Sequence, residues 1–333
     1  MDVAINLRDF IDDPTRPMDQ QIEEAAEVAR RAKSLGFSGI YVPQHWISHP
    51  TIWLQPLLVL ARLAPEAEEI KLITGVILVP LHNPVDLAEQ VITMDHITRG
   101  RLILGVGLGY RQTELEAFGT KRSERVARFE ESLELMKLLW SGERVDFEGR
   151  FWRVHDARVA ITPLQKPYPP IWIAGQSESA VRRAAAIGDG CLLGPQQSWD
   201  GISHLAEVYW GALHSQDAAA SGLLGANRSI AIGKDRQTAV QEAEASAERK
   251  KGMYGGWDMQ ERSTVDLGLS GGRDISEWAI VGSPHECVET LSRAYNEQTL
   301  RYVGLGFLNL PSGHSARLDY LQFVGEEFLA HLP

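Results

Sequence analysis

The stretch Ile70–Phe118, IKLITGVILVPLHNPVDLAEQVITMDHITRGRLILGVGLGYRQTELEAF, carries the reading of the fold. Ile70 to Val79 is almost continuously apolar and rich in branched side chains, as a strand covered on both faces requires, and Pro80 stops it. Asn83-Pro84 then opens a helix, because the Asn side chain caps free amides and proline at the first helical position gives up no needed hydrogen bond. That helix reaches about Ile97, and Arg101 to Val106 forms the next buried strand. Gly105-Val106-Gly107-Leu108-Gly109 leaves the strand end with backbone amides bare of side chains. The stretch is one β-α-β unit whose strand ends can meet a ligand.

Outward from this unit the alternation continues. Val3 to Leu7 is a short strand and Gln20 to Leu35 a helix closed by Gly36; Gly39 to Val42 is a strand, followed by the loop Pro43 to Pro50 and a helix over about Gln55 to Leu63. After the glycines, a helix from near Ser123 carries Phe129, Leu133, Met136 and Trp140 inward. Arg144 to Val154 reads as a hairpin turning at Glu148-Gly149, an insertion over 144–170. Ile171 to Ala174, Gly190 to Leu193, Ser229 to Gly233 and Tyr302 to Phe307 supply four more strands. Their helices run over about Glu178 to Ile187, Arg236 to Lys250, from the capping box Ser283-Pro284-His285-Glu286 to Asn296, and from Ser315 to Leu329. Lys251 to Ile275 has no period and reads as a lid or a disordered segment within an insertion over 251–279. Eight strands alternating with helices in 333 residues predict a single (β/α)8 TIM barrel with insertions, 1–333, rather than an open doubly wound sheet.

A net charge of −11 without a Lys/Arg cluster excludes nucleic acid and anionic membranes as expected partners and leaves small molecules. No apolar run approaches the roughly 20 residues that span a bilayer, and MDVAINLRDF lacks the regions of a signal peptide, so a cytoplasmic location is expected. Cys191 and Cys287 are isolated and read as reduced thiols.

In such a barrel the ligand site lies at the C-terminal ends of the strands. After the second strand stand Gln44, His45, Trp46 and His49; an imidazole there suits acid/base work, and a solvated or capped loop histidine is the bland alternative. His45 and His49 do not make a metalloprotease pair, because Trp46 stands where the glutamate belongs, and no metal is expected. Gly105, Gly107 and Gly109 fall short of a dinucleotide fingerprint and serve tight packing equally well. Gly175-Gln176-Ser177-Glu178-Ser179 sets small polar residues at a helix N-terminus, which favours a phosphate or is plain capping by Ser177. Arg128, among apolar neighbours on its helix, is exposed or turned inward to a phosphate.

Taken together these residues resemble the luciferase-like flavin monooxygenase superfamily, which includes bacterial luciferase and the coenzyme F420-dependent oxidoreductases. The most specific segments are Asn83-Pro84, Asp95-His96-Ile97-Thr98-Arg99-Gly100-Arg101, Gly105 to Tyr110 and Phe118-Gly119, followed by Ile173-Ala174-Gly175-Gln176-Ser177, Ala184-Ala185 and Gly188-Asp189-Gly190. The resemblance implies that His45 is the active-site histidine, with Gln44 where glutamate is common. It implies a non-proline cis peptide at Gly75-Val76 under the flavin ring, beside Thr74. It places the phosphate against Gly175, Gln176 and Ser179, with Leu108, Gly109, Tyr110 and Arg128 around it; Leu108 stands where luciferase-type members carry an arginine. Gln44, Trp46, His49 and His82 would shape the substrate side.

The implied activity is a monooxygenase using dioxygen and reduced FMN supplied by a separate flavin reductase, acting on a small organic substrate. The alternatives are F420-dependent hydride transfer without oxygen, a flavin-binding protein without turnover and, outside the family, a barrel hydrolase that would need bound zinc. A homodimer paired through barrel helices is the expected assembly.

Overall fold

The computed structural model describes residues 1–67, 69–216, 222–254 and 274–333, with the side chains of 216 and 247–254 outside that description. In chain order the first elements are β1 (Asp2–Asn6), α1 (Met18–Ala32), β2 (Gly39–Val42), α2 (Pro56–Leu63), β3 (Lys71–Thr74), β4 (Ile77–Leu78), α3 (Pro84–Ile97) and β5 (Leu102–Gly107). Next come α4 (Gln112–Ala117), α5 (Arg125–Trp140), the hairpin strands β6 (Val145–Glu148) and β7 (Arg153–Ala157), β8 (Ile171–Gly175), α6 (Glu178–Ile187), β9 (Gly190–Leu193) and α7 (Trp199–Gln216). The chain ends with β10 (Leu223–Ile232), α8 (Arg236–Tyr254), β11 (Ala279–Gly282), α9 (Pro284–Glu297), β12 (Tyr302–Phe307) and α10 (His314–Glu327).

The parallel neighbours run β1-β2-β3-β5-β8-β9-β10-β12, and β12 pairs back onto β1, so the sheet closes as an eight-stranded barrel. Asn83 caps α3 through the amides of Val85 and Asp86, and Ser283 with Glu286 forms the capping box of α9, as their spacing predicts. The side chains between sheet and helices form one continuous apolar layer, from Val3 and Ile5 through Leu104 and Val106 to Val303 and Leu305. The opposite face fills the barrel interior with Ala4, Tyr41, Ile73, Ile103, Trp172, Leu192 and Tyr302.

Three features depart from the sequence expectations. The run Ile70–Val79 is two strands, not one, divided at a cis peptide between Gly75 and Val76, which is the bond the resemblance pointed to. The seventh barrel strand begins at Leu223 rather than Ser229, because its first half pairs with β9 and its second half with the unforeseen β11. The short helix α4 stands in what read as the loop after the glycines. The expected lid lies for the most part outside the described residues, since 255–273 are not described.

The strand division explains two of the three glycines. A Cβ on Gly105 would lie 1.9 Å from the Thr74 carbonyl oxygen, and one on Gly107 would lie 2.8 Å from a Val76 methyl. These positions are therefore glycine because the backbone of β5 packs against the break between β3 and β4. Gly105→Ala should lower the free energy of unfolding by about 3 kcal/mol or more, since a carbonyl oxygen cannot give way as a flexible side chain can. Gly211, in α7 with nothing within 4 Å of its would-be Cβ, is the control. Its replacement by alanine should be neutral or stabilising by up to about 1 kcal/mol. Urea midpoints of the two variants measure both effects, and a Gly105→Ala midpoint equal to wild type would contradict the packing account.

Candidate active site

The loop after β2 carries His45, and α4 turns a carboxylate under it. Glu114 is fully buried, and its Oε1 accepts from His45 Nδ1 at 2.7 Å, from the Trp46 amide at 2.9 Å and from Arg111 Nη1 at 3.0 Å. Arg111 also donates to the carbonyl oxygens of Trp46 at 2.6 Å and Ile47 at 3.2 Å, which fixes the loop to the first turn of α4. Burial pushes the Glu114 carboxyl up, but the His45 bond and charge, the Trp46 amide and Arg111 outweigh it and hold the group below its usual range. An ionised carboxylate only accepts, so the proton is assigned to His45 Nδ1 and Nε2 is left for chemistry. The imidazole packs edge-on against Trp53 and Tyr110, with ring centroids 4.6 and 5.6 Å away.

His82, after β4, joins Gln44 and Trp46 of this loop. Gln44 is buried; its Oε1 accepts the Leu78 amide at 2.8 Å and His82 Nε2 at 3.3 Å, and its Nε2 donates to Gln55 at 2.8 Å. Trp46 is wedged among Val76, Leu78, Leu81 and Leu115, with Phe118 and His82 against its ring. His49 is exposed and precedes a cis proline, Pro50. The fully buried hydroxyl of Thr74 donates to the Gly105 carbonyl oxygen at 2.8 Å. Gly75 lies against the Tyr41 ring, where a Cβ would stand at 2.6 Å.

Burial lowers the His82 pKa to about 4, so the ring is neutral in the folded protein near neutral pH. The folded value lies below the unfolded one of 6.5, so the unfolded chain takes up the proton first and stability falls as pH drops from 6.5 toward 4. The loss should reach about 2 kcal/mol at about pH 4.5. His82→Asn should flatten that limb in urea midpoints measured from pH 7 down; equal slopes in the two proteins would rule the assignment out.

Arg128 lies over the rings of Phe151 and Trp152 in the hairpin, at 5.1 and 4.9 Å. The hairpin is held there by Glu131, which accepts the amides of Arg150, Phe151 and Trp152. The guanidinium at the glycine turn belongs to Arg125, which donates to the Gly109 carbonyl at 3.1 Å, while Arg122 reaches that of Tyr110 at 3.4 Å. Burial lowers the pKa of Arg125, and the charges of Arg122 and Arg183 lower it further, so three cations converge here. Arg183 also pairs with Glu130 of α5 at 2.7 Å. The strand ends β5 and β8 are adjacent, with Gly107 against Ala174, and bring Leu108, Gly109 and Tyr110 beside Gly175, Gln176 and Ser179. Gly175 is buried, Gln176 and Ser179 are exposed, and Ser177 caps α6 through the Ala180 amide.

Glu114, Arg111, Arg125 and Trp53 were not singled out in the sequence. The one available signal was Arg111-x-x-Glu114, three apart at a helix start.

The family model for luciferase-like monooxygenases matches residues 1–301. The oxygenase component of a flavin-dependent trigonelline monooxygenase from Acinetobacter baylyi is 30% identical over 174 residues, covering 52% of this chain and 48% of that one. An F420-dependent glucose-6-phosphate dehydrogenase from Intrasporangium calvum is 28% identical over 314 residues, covering 89% and 90%. A monooxygenase from Streptomyces bottropensis superposes with a TM-score of 0.84 at 23% identity over 99% of both chains, a likeness of fold.

Proposed function

This chain belongs to the luciferase-like monooxygenase family, and from that premise we propose that it is a monooxygenase acting with reduced FMN from a separate reductase, dioxygen and a small organic substrate. The observation that carries the reading is the His45–Glu114–Arg111 constellation at the end of β2, together with a cluster of guanidinium groups around the turn after β5. That spread of donors fits a cofactor with a dianionic phosphate at one end and a ring system at the other. Arg125 and Arg122, with the free amides at the start of α6, would hold the phosphate; the backbone around Gly75-Val76 and the rings of Tyr110 and Trp53 would flank the flavin. When bound, reduced flavin supplies two electrons and the reactivity toward dioxygen.

The chain's own part is positional and acid/base. Glu114 and Arg111 hold the imidazole in one tautomer and the loop in one place, so Nε2 of His45 can give or take a proton beside the ring without a search of rotamers. Trp53 and Tyr110 flank the imidazole with apolar surface and limit competing water.

The end-to-end similarity to an F420-dependent dehydrogenase supports a second reading, hydride transfer with F420 on the same constellation. Anaerobic titration with FMNH2 and, separately, with F420H2, followed by admission of air, tests both. Tight FMNH2 binding and oxygen uptake coupled to substrate oxidation are expected. Binding of F420H2 alone would move the protein to the second reading, and binding of neither would overturn both.

A further inference from the structure

We propose that Asn6, Asn227 and Ser229 recognise the organic substrate, and that they select an uncharged molecule offering an acceptor oxygen, a carbonyl or carboxamide, on an apolar ring. The inference rests on the flavin-dependent reading of the same site. Side chains alternate along a strand, so the interior set Ala4, Ile73, Trp172, Leu192 and Tyr302 continues toward the catalytic end as Asn6, Gly75, Ala174, Gly194 and Gly304. Most of these are small. Asn6 on β1 and Asn227 and Ser229 on β10 are polar, and they flank β12 on either side. Asn227 pairs with Gly304 and Ser229 with Gly306, while Asn6 follows Ile5, the partner of Leu305. Neighbouring strands lie about 4.8 Å apart, so roughly 10 Å separates the backbones of Asn6 and Ser229, with only a glycine of β12 between them. A Cβ on Gly306 would meet nothing nearer than Asp9 Oδ2 at 3.5 Å and Asn6 Nδ2 at 3.7 Å. Asn6, Asn227, Ser229 and Gly306 are all half-buried, so the gap opens to solvent.

The donors of this gap are uncommitted. Asn6 Oδ1 accepts the Arg8 amide at 3.2 Å, but the side-chain nitrogens of Asn6 and Asn227 and the Ser229 hydroxyl make no hydrogen bond among the described residues. Asn227 Oδ1 and the Tyr302 hydroxyl are buried against the bare face of Gly304, also without a partner. Polar atoms kept so inside a barrel cost stability, and what they deliver to the mouth is two amide donors and a hydroxyl. In strand order β10, β12 and β1 stand across the barrel from β3, β5 and β8, whose ends carry Gly75-Val76 and the glycine turn, and β2 with His45 lies between β1 and β3. A molecule seated on Gly306 would face the flavin ring across the mouth, with His45 to one side. Charge selects its class. Asp9, which accepts the Phe307 amide at 2.8 Å, would repel an anion at Gly306, and the Arg8 guanidinium is turned onto the ring of Trp53 at 4.8 Å. Uncharged donors beside a carboxylate match a neutral acceptor and not an acid.

The test is calorimetric titration of the full chain, with and without FMNH2 under anaerobic conditions, with acetophenone, its oxygen-free isostere α-methylstyrene, and benzoate. Acetophenone should bind about 5- to 30-fold more tightly than either of the others. In the double variant Asn227→Leu, Ser229→Ala its advantage over α-methylstyrene should fall to about twofold or less. Gly306→Ala meets only ordinary contacts, so it should keep the wild-type urea midpoint and FMNH2 affinity. It should nonetheless weaken acetophenone by about tenfold or more, because the methyl occupies the bed of the ligand. Equal binding of acetophenone and α-methylstyrene to wild type, tighter binding of benzoate, an advantage that survives in the double variant, undiminished affinity in Gly306→Ala, or no binding of acetophenone up to about 10 mM would each overturn the proposal. FMNH2 affinity is read in the same samples. A protein that binds FMNH2 without preferring acetophenone overturns this inference alone, whereas one that prefers acetophenone but does not bind FMNH2 overturns the flavin reading.

Discussion

His45→Asn should reduce the rate of substrate oxidation by about 10²- to 10⁴-fold while leaving the affinity for reduced flavin within about threefold of wild type. The choice of asparagine matters. Its amide nitrogen falls near the place of imidazole Nδ1, so it can still donate to Glu114, which otherwise lies fully buried with three donors on one oxygen. The variant thereby keeps the loop, the carboxylate and Arg111 as they are and removes only Nε2. A single-turnover rate under anaerobic preloading, followed by mixing with oxygen and substrate, isolates the step. Glu114→Gln should give a smaller loss, because the replacement no longer selects the Nδ1–H tautomer. A His45→Asn rate within a few-fold of wild type would remove the imidazole from the chemistry and leave it a packing partner of Trp53 and Tyr110.

The barrel was legible because its signals are local. Continuous branched apolar runs mark strands buried on both faces, and Asn83-Pro84 and Ser283-Pro284-His285-Glu286 mark helix starts by chemistry that acts within four residues. The misses have the opposite character. β11 is four residues long and is defined by its pairing with Ser229–Ile232, some 50 residues earlier in the chain, which no periodicity reports. α4 is a single short helix of mostly polar residues, and what gives it meaning is one carboxylate turned inward to a loop about 70 residues away. His45 stood out because its position after β2 and the family resemblance coincide. The identities of Gln44, Thr74 and His82 do not show that their polar atoms bond to Leu78, Gly105 and Gln44.

Arg125 and Arg128 make the sharpest contrast, and they supply the second large effect. The two stand three apart on α5, so a helical reading places both on neighbouring turns and cannot say which end of which side chain meets a ligand. The hairpin separates them. Phe151 and Trp152, docked by Glu131, offer Arg128 two aromatic faces, and its guanidinium lies over them. Arg125 points to the carbonyl of Gly109, where Arg122 and Arg183 repel it and burial penalises its charge. A guanidinium so placed is stabilised by an anion. Arg125→Met should therefore weaken binding of reduced FMN by about 10- to 100-fold, the cost of a lost charge-assisted contact to phosphate, with kcat at saturating flavin nearly unchanged. Riboflavin, which lacks the phosphate, should bind wild type and Arg125→Met alike. Arg128→Met should leave the flavin affinity alone and instead lower thermal stability modestly, through lost stacking on the hairpin. The reverse pattern, with Arg128→Met losing flavin and Arg125→Met unaffected, would return the phosphate contact to Arg128 and remove the convergence of Arg122, Arg125 and Arg183 from the cofactor site.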